Sequence, residues 1–126
     1  MPLTRISLRA GKSPAYRRAI VDSVYLAMRE TFNVPENDRF MTVEQFAAAD
    51  FDFGADYLGI DRSDDLVIVQ ITANNTRTVE QKKALFAAIA DHLATNPGVR
   101  PKDVFINLVE CAKENWSFGM GVAQYA

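Results

Sequence analysis

The chain begins Met1-Pro2, and a proline in the second position can become a catalytic group. If the initiator methionine is removed, Pro2 carries a free secondary amine on a rigid ring. An α-amino group titrates nearer to neutrality than a lysine does, so it can act as a base, or hold a proton and present it to a carbonyl. A chain that keeps Met1 has this nitrogen acylated and loses that chemistry. Many proteins begin Met-Pro without using it, so the dipeptide needs support from the rest of the sequence.

Other reactive side chains are few. Cys111 is the only cysteine and His92 is the only histidine. A single chain therefore cannot form a disulfide, a thiolate metal site or a histidine cluster, and a histidine-based triad has little room. The pattern around His92 indicates the surface of a helix. We expect no metal and no organic cofactor.

The elements that must position Pro2 come from a duplication, seen as an offset of 65 residues that aligns Lys12 with Arg77. The same offset aligns Arg17 with Lys82, Arg18 with Lys83, Met28 with Leu93, Asp38 with Asp103 and Phe40 with Phe105. Such self-similarity indicates two copies of one supersecondary unit. We expect a single domain over residues 1–126, with repeats at about 1–44 and 65–110 and a C-terminal arm at 117–126.

Each copy begins with an apolar run that predicts a strand, at residues 3–8 and 66–72. The second run is nearly continuous, as for a strand buried on both faces. Return strands are predicted from about residue 39 and over 104–109. The connection at 44–64 is expected to contain a short strand around 57–60, and the tail from Ser117 a small hairpin or arm.

A helix is predicted between the two strands of each copy. Ser13-Pro14 provides an N-cap with proline at the first helical position, and Thr78 with Gln81 forms a capping box. Apolar residues recur at 20, 21, 24 and 28, and again at 85, 86, 89 and 93, so one face of each helix should pack on a sheet. The sequence thus predicts an α+β fold, in which a tandem βαβ repeat forms a four-stranded mixed sheet with two helices on one face.

Composition narrows the class of partner. The 126 residues are 48% apolar and 24% charged, with a net charge of −2, as in an ordinary soluble globular protein. This charge gives no reason to expect nucleic acid or a membrane surface as a partner. The N-terminus has neither a signal nor a transit pattern, so we expect a cytoplasmic protein with a small binding target.

Four segments together resemble the tautomerase superfamily, and within it the malonate semialdehyde decarboxylase group. They are Met1-Pro2, Pro35-Glu36-Asn37-Asp38-Arg39-Phe40, Asn75-Thr76-Arg77-Thr78, and the stretch from Glu110 through Trp116-Ser117-Phe118-Gly119. The resemblance covers nearly the whole chain. It implies a fold like that of 4-oxalocrotonate tautomerase, assembled as a homotrimer.

The resemblance also implies roles for particular residues. It makes Pro2, Asp38 and Arg77 catalytic, and the substrate-binding residues that it implies are Asn75, Trp116 and Phe118. A protonated Pro2 could stabilise an enolate, and Asp38 could keep the prolinium charged. Arg77 offers a planar fork for a carboxylate.

Trp116 and Phe118 would form an apolar wall that strengthens these interactions by excluding water. Judged without the resemblance, each residue also has a structural explanation. Asp38 and Asp103 lie in turns before strands, where aspartate commonly bonds nearby backbone, and Arg77 could be solvated. Trp116 and Phe118 could belong to the core or to an interface.

Asn75 departs from the pattern of the group. Its best-known members carry two arginines separated by one residue, whereas here the first of that pair is Asn75 and the second is Arg77. The group related to cis-3-chloroacrylic acid dehalogenase fits less well, because it relies on an added histidine and His92 lies on the wrong helix.

The sequence therefore predicts a cofactor-independent decarboxylase of a small 3-oxo carboxylate such as malonate semialdehyde, with Pro2 as the general acid. One alternative is a keto–enol tautomerase of the phenylpyruvate type, in which neutral Pro2 is the base. Another is a non-catalytic trimeric binding protein in which Met1 blocks Pro2.

Overall fold

The chain forms two βαβ units. The computed structural model describes residues 2–126, so the question whether Met1 is removed lies outside the described residues. The first unit comprises β1 (Leu3–Arg9), α1 (Pro14–Phe32) and β2 (Phe40–Phe46), and the second comprises β3 (Val67–Asn74), α2 (Val79–Thr95) and β4 (Val104–Cys111). These six elements confirm the predicted order of strands and helices.

The four strands form one mixed sheet in the order β2-β1-β3-β4. Within each unit the two strands are parallel, and the units join through antiparallel pairing of β1 with β3. In the register, Leu3 pairs with Phe40 on one side and with Thr72 on the other. The sheet is therefore continuous across the two copies.

Both helices begin where their capping residues predict. The Ser13 hydroxyl accepts from the Tyr16 N–H, with Pro14 at the first helical position of α1. At the start of α2, Thr78 and Gln81 exchange the two hydrogen bonds of a capping box. These bonds satisfy backbone N–H groups that a helix start otherwise leaves without partners.

One face of the sheet is covered by both helices, as predicted. Alternate residues of β1 and β3, such as Ile6 and Val69, are fully buried with residues of α1 and α2, such as Val24 and Ile89. The alternation follows from the period of two in a strand. The opposite face remains open and carries exposed apolar side chains at Leu3, Phe40, Phe105 and Val109.

The strand expected around residues 57–60 is wrong. This segment is a 3₁₀ turn, Tyr57–Gly59, in which Leu58 has a left-handed φ of 60°. One Arg62 nitrogen, Nη1, donates to the carbonyl oxygens of Gly54, Tyr57 and Ile60 at 2.9–3.3 Å. Because a side chain takes these carbonyls, the segment wraps around the guanidinium instead of pairing with a strand.

The C-terminal arm is held by turns rather than by strand pairing. The Gln124 Oε1 accepts from the Phe118 N–H at 3.0 Å, and its Nε2 donates to the Gly119 carbonyl at 3.3 Å. Between these contacts, Met120 has φ 60° and is 99% exposed. The arm thus folds back on itself, which brings its last residues beside Phe118.

Asp103 anchors the second unit at the edge where β4 begins. Its buried carboxylate accepts from the backbone N–H and the hydroxyl of Ser63, both at 2.7 Å, and from Arg100 Nε at 3.0 Å. Burial by itself raises the pKa of Asp103, but the hydrogen bonds from Arg100 and Ser63 outweigh it and lower that pKa below its ordinary value. Asp103 therefore has the structural role that its turn position predicted.

We expect Asp103→Asn to lower the free energy of unfolding by about 1–3 kcal/mol at pH 7, because it disturbs buried hydrogen bonds to a charged group. Urea unfolding followed by circular dichroism measures this difference. A lowered folded-state pKa stabilises the protein above the unfolded value of 3.8 and no longer does so once the pH falls through the folded value. The difference in unfolding free energy between the wild-type protein and Asp103→Asn should therefore disappear in acid. A difference that stays constant down to about pH 2 contradicts this account.

Candidate functional site

The topology brings the candidate residues to one edge of the sheet. Because β1 is parallel to β2 and antiparallel to β3, the starts of β1 and β2 lie at the edge where β3 and β4 end. Pro2 and Asp38 precede β1 and β2, whereas the segments at 75–77 and 113–118 follow β3 and β4. Four segments that are distant in sequence thus meet there.

Pro2 is buried at the start of β1. The next residue, Leu3, pairs with Phe40 of β2, two residues after Asp38. On its other side Leu3 pairs with Thr72 of β3, close to the end of that strand. The register therefore places Pro2 between the turn of Asp38 and the end of β3.

Asp38 is held in a tight turn before β2. Its N–H donates to the Pro35 carbonyl at 3.2 Å, and Asn37 has a left-handed φ of 66°, which asparagine tolerates better than most residues. The Asn37 N–H donates to the Tyr25 hydroxyl at 3.0 Å, which ties the turn to α1. Asp38 as a residue is only 8% exposed. The turn thus presents a buried carboxyl at the same edge as Pro2.

Arg77 lies between β3 and α2 and is fixed by Phe32, the last residue of α1. Its Nη2 donates to the Phe32 carbonyl at 2.8 Å, and its guanidinium lies 4.8 Å from the centre of the Phe32 ring. Burial lowers the pKa of Arg77 below its ordinary value, while the charge of Asp38 acts in the opposite direction. An arginine remains protonated under such a shift. Arg77 is thus a positioned cation within the electrostatic reach of Asp38.

Trp116, Phe118 and Tyr125 form an aromatic wall. The rings of Trp116 and Phe118 are stacked at 5.7 Å between centres, and Tyr125 meets Phe118 edge to face at 5.1 Å. The Trp116 Nε1–H donates to Oδ1 of the buried Asn74 at 2.8 Å. This hydrogen bond fixes the wall to the end of β3.

Two adjoining clefts open at this edge. The first, which we call the arginine cleft, has a volume of ≈ 620 Å³, and its polar lining comprises Asn33, Asn74, Thr76, Arg77, Gln81 and Lys113. The second, which we call the aspartate cleft, has a volume of ≈ 330 Å³ and is lined by Glu36, Asn37, Asp38, Phe40 and Phe118. Pro35 and Tyr125 line both clefts. A small acid that spans them would have its anionic end near Arg77 and its other end near Asp38.

Pro2, Trp116 and Asn75 do not line either cleft, unlike the other predicted residues. Asn75 also differs from Pro2 and Trp116 in its exposure. It is exposed, its backbone N–H donates to the Cys111 carbonyl at 3.0 Å, and it is not among the described residues that line either cleft. Its role in substrate binding stays a prediction.

Two further ionisable side chains, Glu110 and His92, lie outside the arginine and aspartate clefts. Glu110 accepts from Lys82 at 2.7 Å. His92 lies 2.8 Å from Glu30 on the surface of the helix pair. Within residues 2–126 there is no group of three or more His, Cys, Asp or Glu side chains that could hold a metal ion.

Sequence reasoning missed four residues that the structure brings to the site. They are Phe32 beneath Arg77, Asn74 beneath Trp116, Lys113 in the arginine cleft, and Tyr125 between the clefts. Only Asn74 carried a usable signal, since a polar residue that ends a buried apolar strand needs a hydrogen-bond partner. Among the described residues, no helix is long and apolar enough to cross a membrane.

A model of a family described as "Tautomerase enzyme" matches residues 38–119, about two thirds of the chain. The curated protein "Probable tautomerase YusQ" of Bacillus subtilis (strain 168) is 40% identical over 124 residues, which cover 98% of each chain. The segment that the family model matches includes Asp38 and Arg77, together with Trp116 and Phe118 of the aromatic wall.

Two solved structures are similar over nearly the whole chain. FG41 malonate semialdehyde decarboxylase inhibited by 3-bromopropiolate superposes with a TM-score of 0.92 at 41% identity, covering 98% of this chain and 93% of that one. Another malonate semialdehyde decarboxylase, described with decarboxylase and hydratase activities, also has a TM-score of 0.92, at 32% identity, covering 98% and 95%. Both likenesses include the edge at which the clefts open.

Proposed function

The chain belongs to the tautomerase family of enzymes, and from this we propose that it is a cofactor-independent decarboxylase of a small 3-oxo carboxylate such as malonate semialdehyde. The observation that carries the proposal is the meeting of Pro2, Asp38 and Arg77 at one sheet edge, beside two adjoining clefts. The likeness to two malonate semialdehyde decarboxylases supports this choice among the reactions open to the family.

In the proposed reaction, Pro2 stabilises the charge that develops as CO₂ leaves. The bond between the α carbon and the carboxylate carbon breaks, and its electron pair passes into the enolate, with negative charge on the carbonyl oxygen. A protonated Pro2 donates a hydrogen bond to that oxygen, which is preorganised electrostatic stabilisation. The α carbon then takes up a proton to complete the reaction.

Asp38 acts on the Pro2 amine, and Arg77 acts on the substrate carboxylate. The buried carboxylate of Asp38 keeps the Pro2 amine charged, because an opposite charge within about 4–6 Å favours the ionised form. Arg77 binds the substrate carboxylate through the planar donors that Phe32 does not use. The aromatic wall limits water around both charges, which strengthens their interactions.

A keto–enol tautomerase is the second candidate, and the name of the 40% identical relative favours it. In this reaction neutral Pro2 removes a proton from one atom of the substrate and returns it to another. The same residues serve both reactions, so the protonation state of Pro2 distinguishes them.

The open face of the sheet supports a homotrimer as the assembly. Leu3, Phe40, Phe105 and Val109 expose 38–50% of their surface there. Apolar side chains grouped on one face are typical of a surface that is covered in the assembled protein. A closed ring of three copies with the sheets facing inward would cover it.

We expect light scattering to give about three times the chain mass of 14.0 kDa. Phe105→Glu should lower this mass, because it places a charge on the covered face, whereas Leu26→Glu on α1 should not. A monomer whose mass does not change with concentration would contradict the trimer.

Pro2→Ala should reduce turnover by roughly 10²–10³, the effect of losing one oriented donor at a developing charge. Alanine keeps a primary amine, so some activity should survive. Intact-mass measurement must first establish that Met1 is absent from both proteins. An unchanged rate in the variant would remove Pro2 from the mechanism.

Arg77→Ala should lower kcat/KM by roughly 10- to 150-fold, because it loses a charge-assisted hydrogen bond of about 1.5–3 kcal/mol. Arg18→Ala, at an exposed arginine of α1, is the matched control and should leave kcat/KM unchanged. Full activity of Arg77→Ala on every acid tested would mean that the carboxylate binds elsewhere.

Asn75→Arg separates the two candidate reactions. We expect it to raise activity towards malonate semialdehyde, since it restores the pair of arginines that the best-known members of the resembled group carry. Activity towards phenylenolpyruvate should stay the same or fall. The opposite pattern would favour the tautomerase.

A further inference from the structure

The arginine cleft contains a second cation, Lys113. The described residues that line this cleft include Arg77 and Lys113 but no aspartate or glutamate. Two positive charges without a lining carboxylate make the cleft attractive to anions. Neither the family resemblance nor the repeat pattern assigns a role to Lys113.

The fold places Lys113 beside the segment that carries Arg77. Lys113 begins a 3₁₀ turn, Lys113–Asn115, directly after β4. The ends of β3 and β4 are held together, because Asn74 pairs with Cys111 and the Asn75 N–H donates to the Cys111 carbonyl. The turn after one strand therefore lies next to the turn after the other.

Lys113 differs in its pairing from Lys82, a lysine near the start of α2. Lys82 contacts the Glu110 carboxylate at 2.7 Å, so its charge is largely compensated. Within residues 2–126, no aspartate or glutamate lies within ion-pair distance of Lys113. Its charge is therefore available to a ligand.

Arg77 by itself suits one carboxylate. Its guanidinium already donates to the Phe32 carbonyl and, at 3.3 Å, to the Thr76 hydroxyl. Three of its five N–H donors remain, and the planar guanidinium is suited to a single carboxylate. A second anionic group would need another cation, and a lysine provides a point charge that can reach it.

We propose that Lys113 binds a second anionic group of the ligand, so that the site prefers an oxo acid with two carboxylates to an oxo acid with one. The inference rests on the proposed function in that it takes the arginine cleft as the place where the acid binds. Lys113 then determines specificity, while the reaction at Pro2 is the same for either acid.

Binding of two acids that do not react tests this without any assay of turnover. Succinate and butyrate each have four carbons but carry two carboxylates and one. Isothermal titration should show that the wild-type protein binds succinate more tightly. Lys113→Gln should weaken succinate binding by about 5- to 10-fold and change butyrate binding by less than about 2-fold, and high salt should reduce the difference.

Lys102→Gln is the matched control. Lys102 is also exposed and also lies in a three-residue 3₁₀ turn, but at the opposite end of β4. Its replacement should change the binding of neither acid. For substrates, Lys113→Gln should raise KM for a 3-oxo dicarboxylate such as 3-oxoglutarate, with little change in kcat or in the KM for malonate semialdehyde.

The inference is overturned if the wild-type protein binds succinate no more tightly than butyrate. It is also overturned if Lys113→Gln weakens the binding of both acids equally, or the binding of neither. The variant Arg77→Ala shows whether a negative result concerns Lys113 alone or the proposed function as well. If Arg77→Ala weakens the binding of both acids while Lys113→Gln has no effect, only the role of Lys113 is wrong. If Arg77→Ala also has no effect, the arginine cleft is not the anion site and the proposed function fails with it.

Discussion

The antiparallel ladder between β1 and β3 is the constraint on which the rest of the structure depends. It runs from the pair Leu3–Thr72 to the pair Ser7–Ile68 and is the contact that joins the two βαβ units into one sheet. Its direction places the start of the first unit beside the end of β3. Its register also decides which alternate residues face the helices, since a slip of one residue would turn the apolar side of a strand to the open face.

The corresponding aspartates of the two repeats have different roles. Asp38 and Asp103 both precede the second strand of their unit, at opposite edges of the sheet. Asp103 is held by Ser63 and Arg100 and secures the connection between the units. Asp38 instead lines a cleft and acts electrostatically on Arg77. A duplicated scaffold thus keeps a structural carboxylate at one edge and a carboxylate beside the clefts at the other.

The side chains of the site are preorganised, as the partly buried Arg77 illustrates. Removing a cation from water is costly, and the Phe32 carbonyl and ring together offset part of that cost. The aromatic wall is fixed in a similar way, because the Trp116 indole is tied to the buried Asn74. Side chains that are already held lose little conformational freedom when they bind a substrate, and this favours both affinity and rate.

The helices and strands of this fold could be predicted from local sequence patterns. The caps at Ser13 and Thr78, the apolar periodicity of both helices and the four main strands all follow from residues within a few positions of one another, which is the range of capping and of side-chain alternation. The strand expected around residues 57–60 was wrong because Arg62 takes its carbonyl groups, and a side chain of that reach leaves no periodic signal. The 65-residue repeat predicted two equal units, but the repeat carried no information on how the units pair.

Which residues come together at the site depends on long-range contacts of the fold. Family resemblance singled out Pro2, Asp38, Arg77, Asn75, Trp116 and Phe118. Of these, Asp38, Arg77 and Phe118 line the clefts, and the fold brings in Asn74, Lys113 and Tyr125. These contacts join strand ends and the C-terminal arm across tens of residues. They depend on the direction and register of the β1–β3 ladder and on the path of the arm, and neither is encoded in the local pattern of any one segment.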